Sequence, residues 1–217
     1  PRAPARHLIR RAYYDLTGLP PTFEAVEAFN AENDQRSAWD NLVNQLLASE
    51  RYGEKLASLW LDTVRYAETN GFERDNKKPY IWRYRDYVIK AFNDNKPYDR
   101  FVAEQLAGDE LPDSDVAAKV ATGFMTLMQR DDEPADRDQA HSDMISDIVD
   151  VSSEAFLGTT MGCAKCHDHK VDPIPQADYY SLMSFFDSIN TSHLQQPNRA
   201  WYDEADARAR EESANAL

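Results

Sequence analysis

Apolar residues recur at helical spacing along most of this chain. Leu8, Ile9, Ala12, Tyr13 and Leu16 share one face of a helix that begins after Ala5 and is stopped by Gly18, Pro20 and Pro21. Thr22 can cap a second helix with Phe23, Val26 and Phe29 on its apolar side. The run Ser37-Ala38-Trp39-Asp40 reads as the next start, leading into Leu42, Val43, Leu46 and Leu47. After Gly53, the residues Leu56, Leu59, Trp60, Thr63 and Val64 carry the period toward Asn70-Gly71, a turn signal. The polar FERDNKKPY segment predicts a loop, and helices resume with Ile81, Tyr84, Val88, Ile89 and Phe92, then after Pro97 with Phe101, Val102, Gln105 and Leu106.

Gly108-Asp109 closes that element, and a helix over Val116 to Met128 follows. The next helix, Gln139 to Phe156, places Met144, Ile148, Val151 and Ala155 on one side and Asp143, Asp147, Asp150 and Glu154 near the other. VDPIPQ is a proline-stiffened loop, and ADYYSLMSFFDSI a short aromatic helix. No segment alternates with period two, so the predicted class is all-α, a multi-helix domain with long polar and proline-containing loops. One domain is expected over residues 1–199. Residues 200–217 have helical propensity but no apolar face, and predict a peripheral tail or the start of a linker to a further domain. The chain opens on Pro1 without an apolar leader core, which reads as a piece of a longer or processed protein.

Composition narrows the function classes. The 217 residues carry 38 acidic against 24 basic side chains, a net charge of −14, so the concentrated basic face that nucleic acid requires is not present. No apolar run approaches the roughly 18 residues of a membrane span.

Against this background one stretch stands out. GCAKCHDHK holds both cysteines and two of the five histidines. Cys163-x-x-Cys166-His167 is the attachment pattern of a c-type haem: each thiol adds across a vinyl group, and the adjacent imidazole becomes an axial iron ligand. Two other chemistries share these residues. A thiol-disulfide centre would need the pair at the start of a helix, usually after a strand, and no strand is predicted. A zinc site could use Cys163, Cys166 and His169, perhaps with an aspartate, but lacks the second ligand pair that such sites usually space far along the chain. Covalent attachment of one haem c is the favoured reading.

Four segments extend the pattern: AYYDLTGLPPT, ERYGEKLASLWLDTVRYAETNGFERD, WRYRDYVIKAFNDNKPYDRFVAEQLAGD and AFLGTTMGCAKCHDHKVDPIPQADYY. Together they resemble the planctomycetal cytochrome-c-like domain of large exported proteins of uncharacterised function. The resemblance covers about Arg10 to Ile189 and implies a haem-bearing module outside the cytoplasm, periplasmic or extracellular, within a chain that continues into further domains. It implies no reaction.

A haem makes further demands. His167 is the expected proximal ligand, and its second ring nitrogen needs an acceptor, for which a carbonyl near Pro173 to Pro175 is expected. On the far side of the iron, His141 is favoured over any single methionine (Met125, Met128, Met144 or Met161), with an open or water-bound position as the alternative. His169, two residues from His167, cannot easily reach that side; it is expected to be solvated, to pair with Asp172 or to serve a second metal. Phe156, Leu157, Tyr179, Tyr180, Met183, Phe185 and Phe186 flank the motif as wall candidates. The propionates would find donors in Arg65, Tyr66, Trp82, Arg83 and Arg85.

Three functions are open on these residues. The first is an electron-transfer module serving a redox partner protein or further domains of the parent chain, for which an acidic surface suits a basic partner. The second is a haem oxidoreductase acting on peroxide or an organic or glycan substrate at an open iron. The third is a non-catalytic extracellular module binding glycans or calcium.

Overall fold

The computed structural model describes residues 3–32 and 34–189. The expected tail at 200–217 lies outside the described residues. Among those described there are nine α-helices and no strands: α1 (Ala5–Thr17), α2 (Phe23–Ala31), α3 (Gln35–Leu47), α4 (Glu50–Thr63), α5 (Trp82–Asn93), α6 (Tyr98–Ala107), α7 (Val116–Ala121), α8 (Arg137–Ser152) and α9 (Gln176–Ser184). The all-α class is therefore as predicted. None of these helices is long and apolar enough to cross a membrane.

The helix ends show local chemistry at work. Gly18 adopts a left-handed conformation (φ 71°) and its N–H donates to the Tyr14 carbonyl, terminating α1. Thr22 Oγ1 accepts from the Ala25 N–H and starts α2. α3 begins earlier than the Ser37 start predicted, because Asp34 Oδ1 accepts from the N–H groups of both Arg36 and Ser37 while Ser37 Oγ donates to Oδ2 at 2.7 Å. α4 passes straight through Gly53 and ends at Thr63, well before Asn70-Gly71. The helix predicted over Val116 to Met128 divides into α7 and a tighter 3₁₀ turn, Thr122–Thr126.

The chain divides into two compact units, Pro1–Leu61 with Arg85–Pro97, and Asp62–Tyr84 with Tyr98–Leu217. In the first, α1 packs on α2 and α3 around Ile9, Ala12, Phe29, Leu42 and Leu46. Its α4 and α5 segments meet at Gly53, whose N–H donates to Asn93 Oδ1 at 2.8 Å. A Cβ at this glycine would lie 2.6 Å from Asn93 Nδ2, which explains a glycine in the interior of a helix.

The second unit holds the larger set of fully buried side chains, including Val64, Phe124, Leu127, Ile145, Ile148, Val149 and Tyr179. Tyr84 donates its hydroxyl to Gln105 Oε1 at 2.5 Å, and Gln105 Nε2 donates to the Phe101 carbonyl at 3.0 Å, so this buried amide is satisfied. α6 packs on α7 and on the 3₁₀ turn after it. At the C-terminal end of α8 the backbone loosens into one π-type turn, Ser153–Leu157, and Gly158 (φ 64°) reverses the chain. That reversal sends the cysteine motif back along α8.

Candidate functional site

Met161 and Ala164 are buried, and they anchor a 3₁₀ turn, Gly162–Lys165, between α8 and α9. The turn is closed by Ala164 N–H donating to the Met161 carbonyl at 2.8 Å and Cys166 N–H to the Cys163 carbonyl at 3.3 Å. In a 3₁₀ turn side chains three apart eclipse one another, so the two thiols project from the same side. Both cysteines are exposed and neither is in a disulfide.

His167 follows directly and is also exposed. Its Nδ1 lies 2.8 Å from the Asp168 carbonyl oxygen, which can only accept, so Nδ1 carries the proton and the Nε2 lone pair is left for a metal. The acceptor is thus the carbonyl of the next residue, in place of the expected one near Pro173 to Pro175. Those prolines serve the neighbouring loop instead: the Ile174 carbonyl accepts from His169 N–H at 2.9 Å.

His169 is the opposite case. Its side chain is only 10% exposed, and Nδ1 accepts from the Asp172 N–H at 2.9 Å, with the Asp172 carboxylate at 3.2 Å. Of the three options, the contact with Asp172 is the one realised, made through its backbone N–H, and the ring is largely shielded from solvent. Because Nδ1 serves as an acceptor inside this loop, it is not free to join a metal. Among the described residues no three His, Cys, Asp or Glu side chains gather closely enough to hold an ion. The zinc arrangement of Cys163, Cys166 and His169 is not formed.

Two helices clamp the motif. From α9, Gln176 Nε2 and the Tyr180 hydroxyl both donate to the Lys165 carbonyl at 3.0 Å, and Asp168 Oδ1 accepts from the Gln176 N–H at 2.8 Å. From α8, the acidic face seen in the sequence supplies successive contacts. Asp143 pairs with Lys165 Nζ at 3.5 Å, and Asp147 takes a two-point contact from Arg65. Asp150 lies so close to Gly162 that an added Cβ would sit 3.3 Å from Oδ2. Burial raises the Asp150 carboxyl above the usual range. The Tyr179 hydroxyl, facing Ser146 and Asp150, is likewise pushed up by burial, to about 12.

The wall candidates separate into two groups. Tyr179 and Phe186 are buried core, and Phe156 packs on Phe124 with ring centroids 5.1 Å apart. Leu157, Tyr180 and Phe185 are exposed, Phe185 at 79%, and so is Val171 at 84%, which periodicity did not single out because it lies in a loop. Of these, Tyr180 is tied to the motif through the Lys165 carbonyl and Val171 follows it closely in the chain, and large apolar side chains this exposed are surface available to an apolar ligand.

The propionate candidates are dispersed. Arg65 is engaged with Asp147; Arg83 stacks over the Trp82 ring at 4.8 Å; Arg85, in the first unit, pairs with Asp86 at 3.0 Å. His141 is half-buried in the second turn of α8. At roughly 100° per residue it lies about 200° around the helix from Asp143, the residue that meets the motif. Met125, Met128, Met144 and Met161 are all core residues. Lys165 and Lys78 gave no sequence signal, since each acts through partners far along the chain.

The donor set suits a covalent haem: two exposed thiols on one side of a turn, an imidazole whose tautomer is held for ligation, and the exposed Tyr180 and Val171 adjoining them. Among curated proteins and among solved structures, none matches. A family model does, over residues 1–191: PSCyt2, described as a protein of unknown function (DUF1549). The match spans most of the chain, and the protein belongs to the PSCyt2 family, the planctomycete cytochrome-like domain that its motifs resemble.

Proposed function

We propose that this chain is a c-type haem module that carries electrons between a partner, or further domains of its parent chain, and the haem iron. The observation that carries the reading is the turn itself. Cys163 and Cys166 are free and share a side, and His167 keeps Nε2 for ligation because Nδ1 donates to the Asp168 carbonyl. Thioether bonds from the two sulfurs and ligation by His167 would supply one-electron chemistry at one site. Leu157, Val171, Tyr180 and Phe185 would lose exposed apolar surface against the porphyrin. Covalent haem attachment in bacteria takes place outside the cytoplasmic membrane, so the reading carries an exported location with it. The charge of −14 suits docking to a basic redox partner.

A second reading is favoured by the position of His141. Facing away from the motif side of α8, it is poorly placed to fill the distal position, and four methionines are packed in the core. An iron with an open sixth position would bind small ligands and support oxidoreductase chemistry. Absorption spectra of oxidised and reduced protein, with and without carbon monoxide or cyanide, decide between them. Transfer by a six-coordinate haem predicts bands that ignore both ligands; an open iron predicts a shift on adding either, and that outcome would contradict the electron-transfer reading.

A further inference from the structure

The charge of this chain is unevenly shared between its two units. The first, Pro1–Leu61 with Arg85–Pro97, holds ten Lys and Arg against ten Asp and Glu, whereas the second holds 14 against 28, so the net charge of −14 belongs to the second unit. Within the neutral unit, cations gather on α1. Arg6, His7, Arg10, Arg11 and Tyr14 fall within about 140° of one another at roughly 100° per residue, and all five are exposed. The other side of the helix is committed to the core, since Ile9 and Ala12 are buried where α1 packs on α2 and α3.

Folding alone gains nothing from this face. Arg6 and Arg10 are like charges one turn apart, and Arg6 and His7 stand in the first turn, at the positive end of the helix, where no acidic residue is present and Pro4 supplies no side-chain cap. Among the described residues no carboxylate pairs with Arg6, Arg10 or Arg11. Arg10 lies instead over the Tyr14 ring, 4.6 Å from its centroid. Arginine and exposed tyrosine are side chains that protein interfaces favour. Three arginines are too few to track a nucleic-acid backbone, and a helix whose apolar side is buried has none to lay into a bilayer. A protein surface bearing carboxylates fits, because a guanidinium binds a carboxylate through paired N–H donors.

The second unit carries such a surface. In the connection between α6 and α7, Asp109, Glu110, Asp113 and Asp115 are all exposed, and no cation interrupts the sequence from Asp109 to Ala118. Asp113 pairs with Arg100 and Asp115 caps α7, whereas Asp109 and Glu110 make no ion pair among the described residues. We propose that α1 of one copy of this chain docks on the Asp109–Asp115 segment of a second copy, a head-to-tail self-association. The two patches differ and each copy has one of each, so the contact is heterologous and repeats from copy to copy. At physiological salt a Debye length of about 8 Å screens the net charges of the two bodies, which leaves the facing patches to decide the contact. Two small patches make a weak interface. None of this depends on the haem reading.

Sedimentation velocity of the full chain, from about 1 μM to about 1 mM, tests this. The chain is expected to self-associate, with the dissociation constant raised at least tenfold in the triple variant Arg6→Gln, Arg10→Gln, Arg11→Gln. The double variant Asp109→Asn, Glu110→Gln is expected to weaken it as much. All five positions are exposed, so circular dichroism should show unchanged helix content in both. The decisive sample mixes the two variants. One keeps the acidic segment and the other keeps the α1 arginines, so the mixture is expected to form a dimer that grows no further. A chain that stays monomeric at every concentration, association that either variant leaves unmoved, or a mixture that stays monomeric overturns the inference. A monomeric chain whose α1 arginines hold phosphatidylglycerol vesicles or a polyglutamate peptide puts a different occupant on this face, and overturns it as well.

Discussion

Replacing both Cys163 and Cys166 with serine is expected to yield a colourless chain that is folded. Serine keeps the size of the side chain but cannot add across a vinyl group, so both thioether bonds are lost. Measured against the haem-free wild-type chain, the stability cost is small, within about 0.5 kcal/mol, because both positions are exposed and neither thiol is in a disulfide. The turn is held by buried Met161 and Ala164 and by donors from α9, all of which remain. Circular dichroism and a thermal melt, set beside the absorption spectrum, check the separation. Unchanged helix content with lost colour is the predicted pair. Retained Soret absorption in the double variant would mean that haem is held by something other than these sulfurs.

Gly108→Ala carries the largest expected effect on folding. A Cβ at this buried glycine would overlap the carbonyl oxygens of Glu104 and Ala118 and lie 2.7 Å from the Ala118 carbonyl carbon. These are backbone atoms at the junction of α6 and α7, so no rotamer change relieves the overlap. The helices must part, and a loss of about 3 kcal/mol is expected, the upper part of the usual overpacking range. Gly158→Ala provides the contrast. Its φ of 64° strains any other residue, but nothing lies within 4 Å of an added Cβ. A cost of about 1 kcal/mol follows from backbone strain alone. Urea melts of the two variants should therefore separate clearly, and equal midpoints would contradict this account of α6 and α7.

How much of this was legible from residues alone depended on the range of the interaction. Gly18 and Thr22 act on groups within four residues, and both ends came out as the local rules predict. The CxxCH turn is local too, which is why Cys163, Cys166 and His167 could be named from spacing. α4 shows the contrary case. Its apolar period continues past Thr63, yet the helix ends there, and Arg65 takes a left-handed backbone while its side chain reaches Asp147, 82 residues away. Nothing near Arg65 in the sequence announces that partner.

The acidic face of α8 was visible as a pattern, but its use was not. Lys165, Arg65 and Gly162 each claim a different carboxylate along it; the first and last depend on the reversal at Gly158, and Arg65 on reaching α8 from the end of α4. The same reversal decides that His141 lies around the helix from the motif. Lys78 was hidden for a related reason: a lysine in a polar loop looks solvated until the loop is seen stitched to Asp132 and Arg130.

The central claim is covalent: one tetrapyrrole joined to two sulfurs. Intact-mass measurement on the chain, matured in a host that exports it and attaches haem, tests this most directly. The account predicts the polypeptide mass plus one haem, with no thiol left to react with an alkylating reagent. A bare polypeptide mass with two reactive thiols would contradict it.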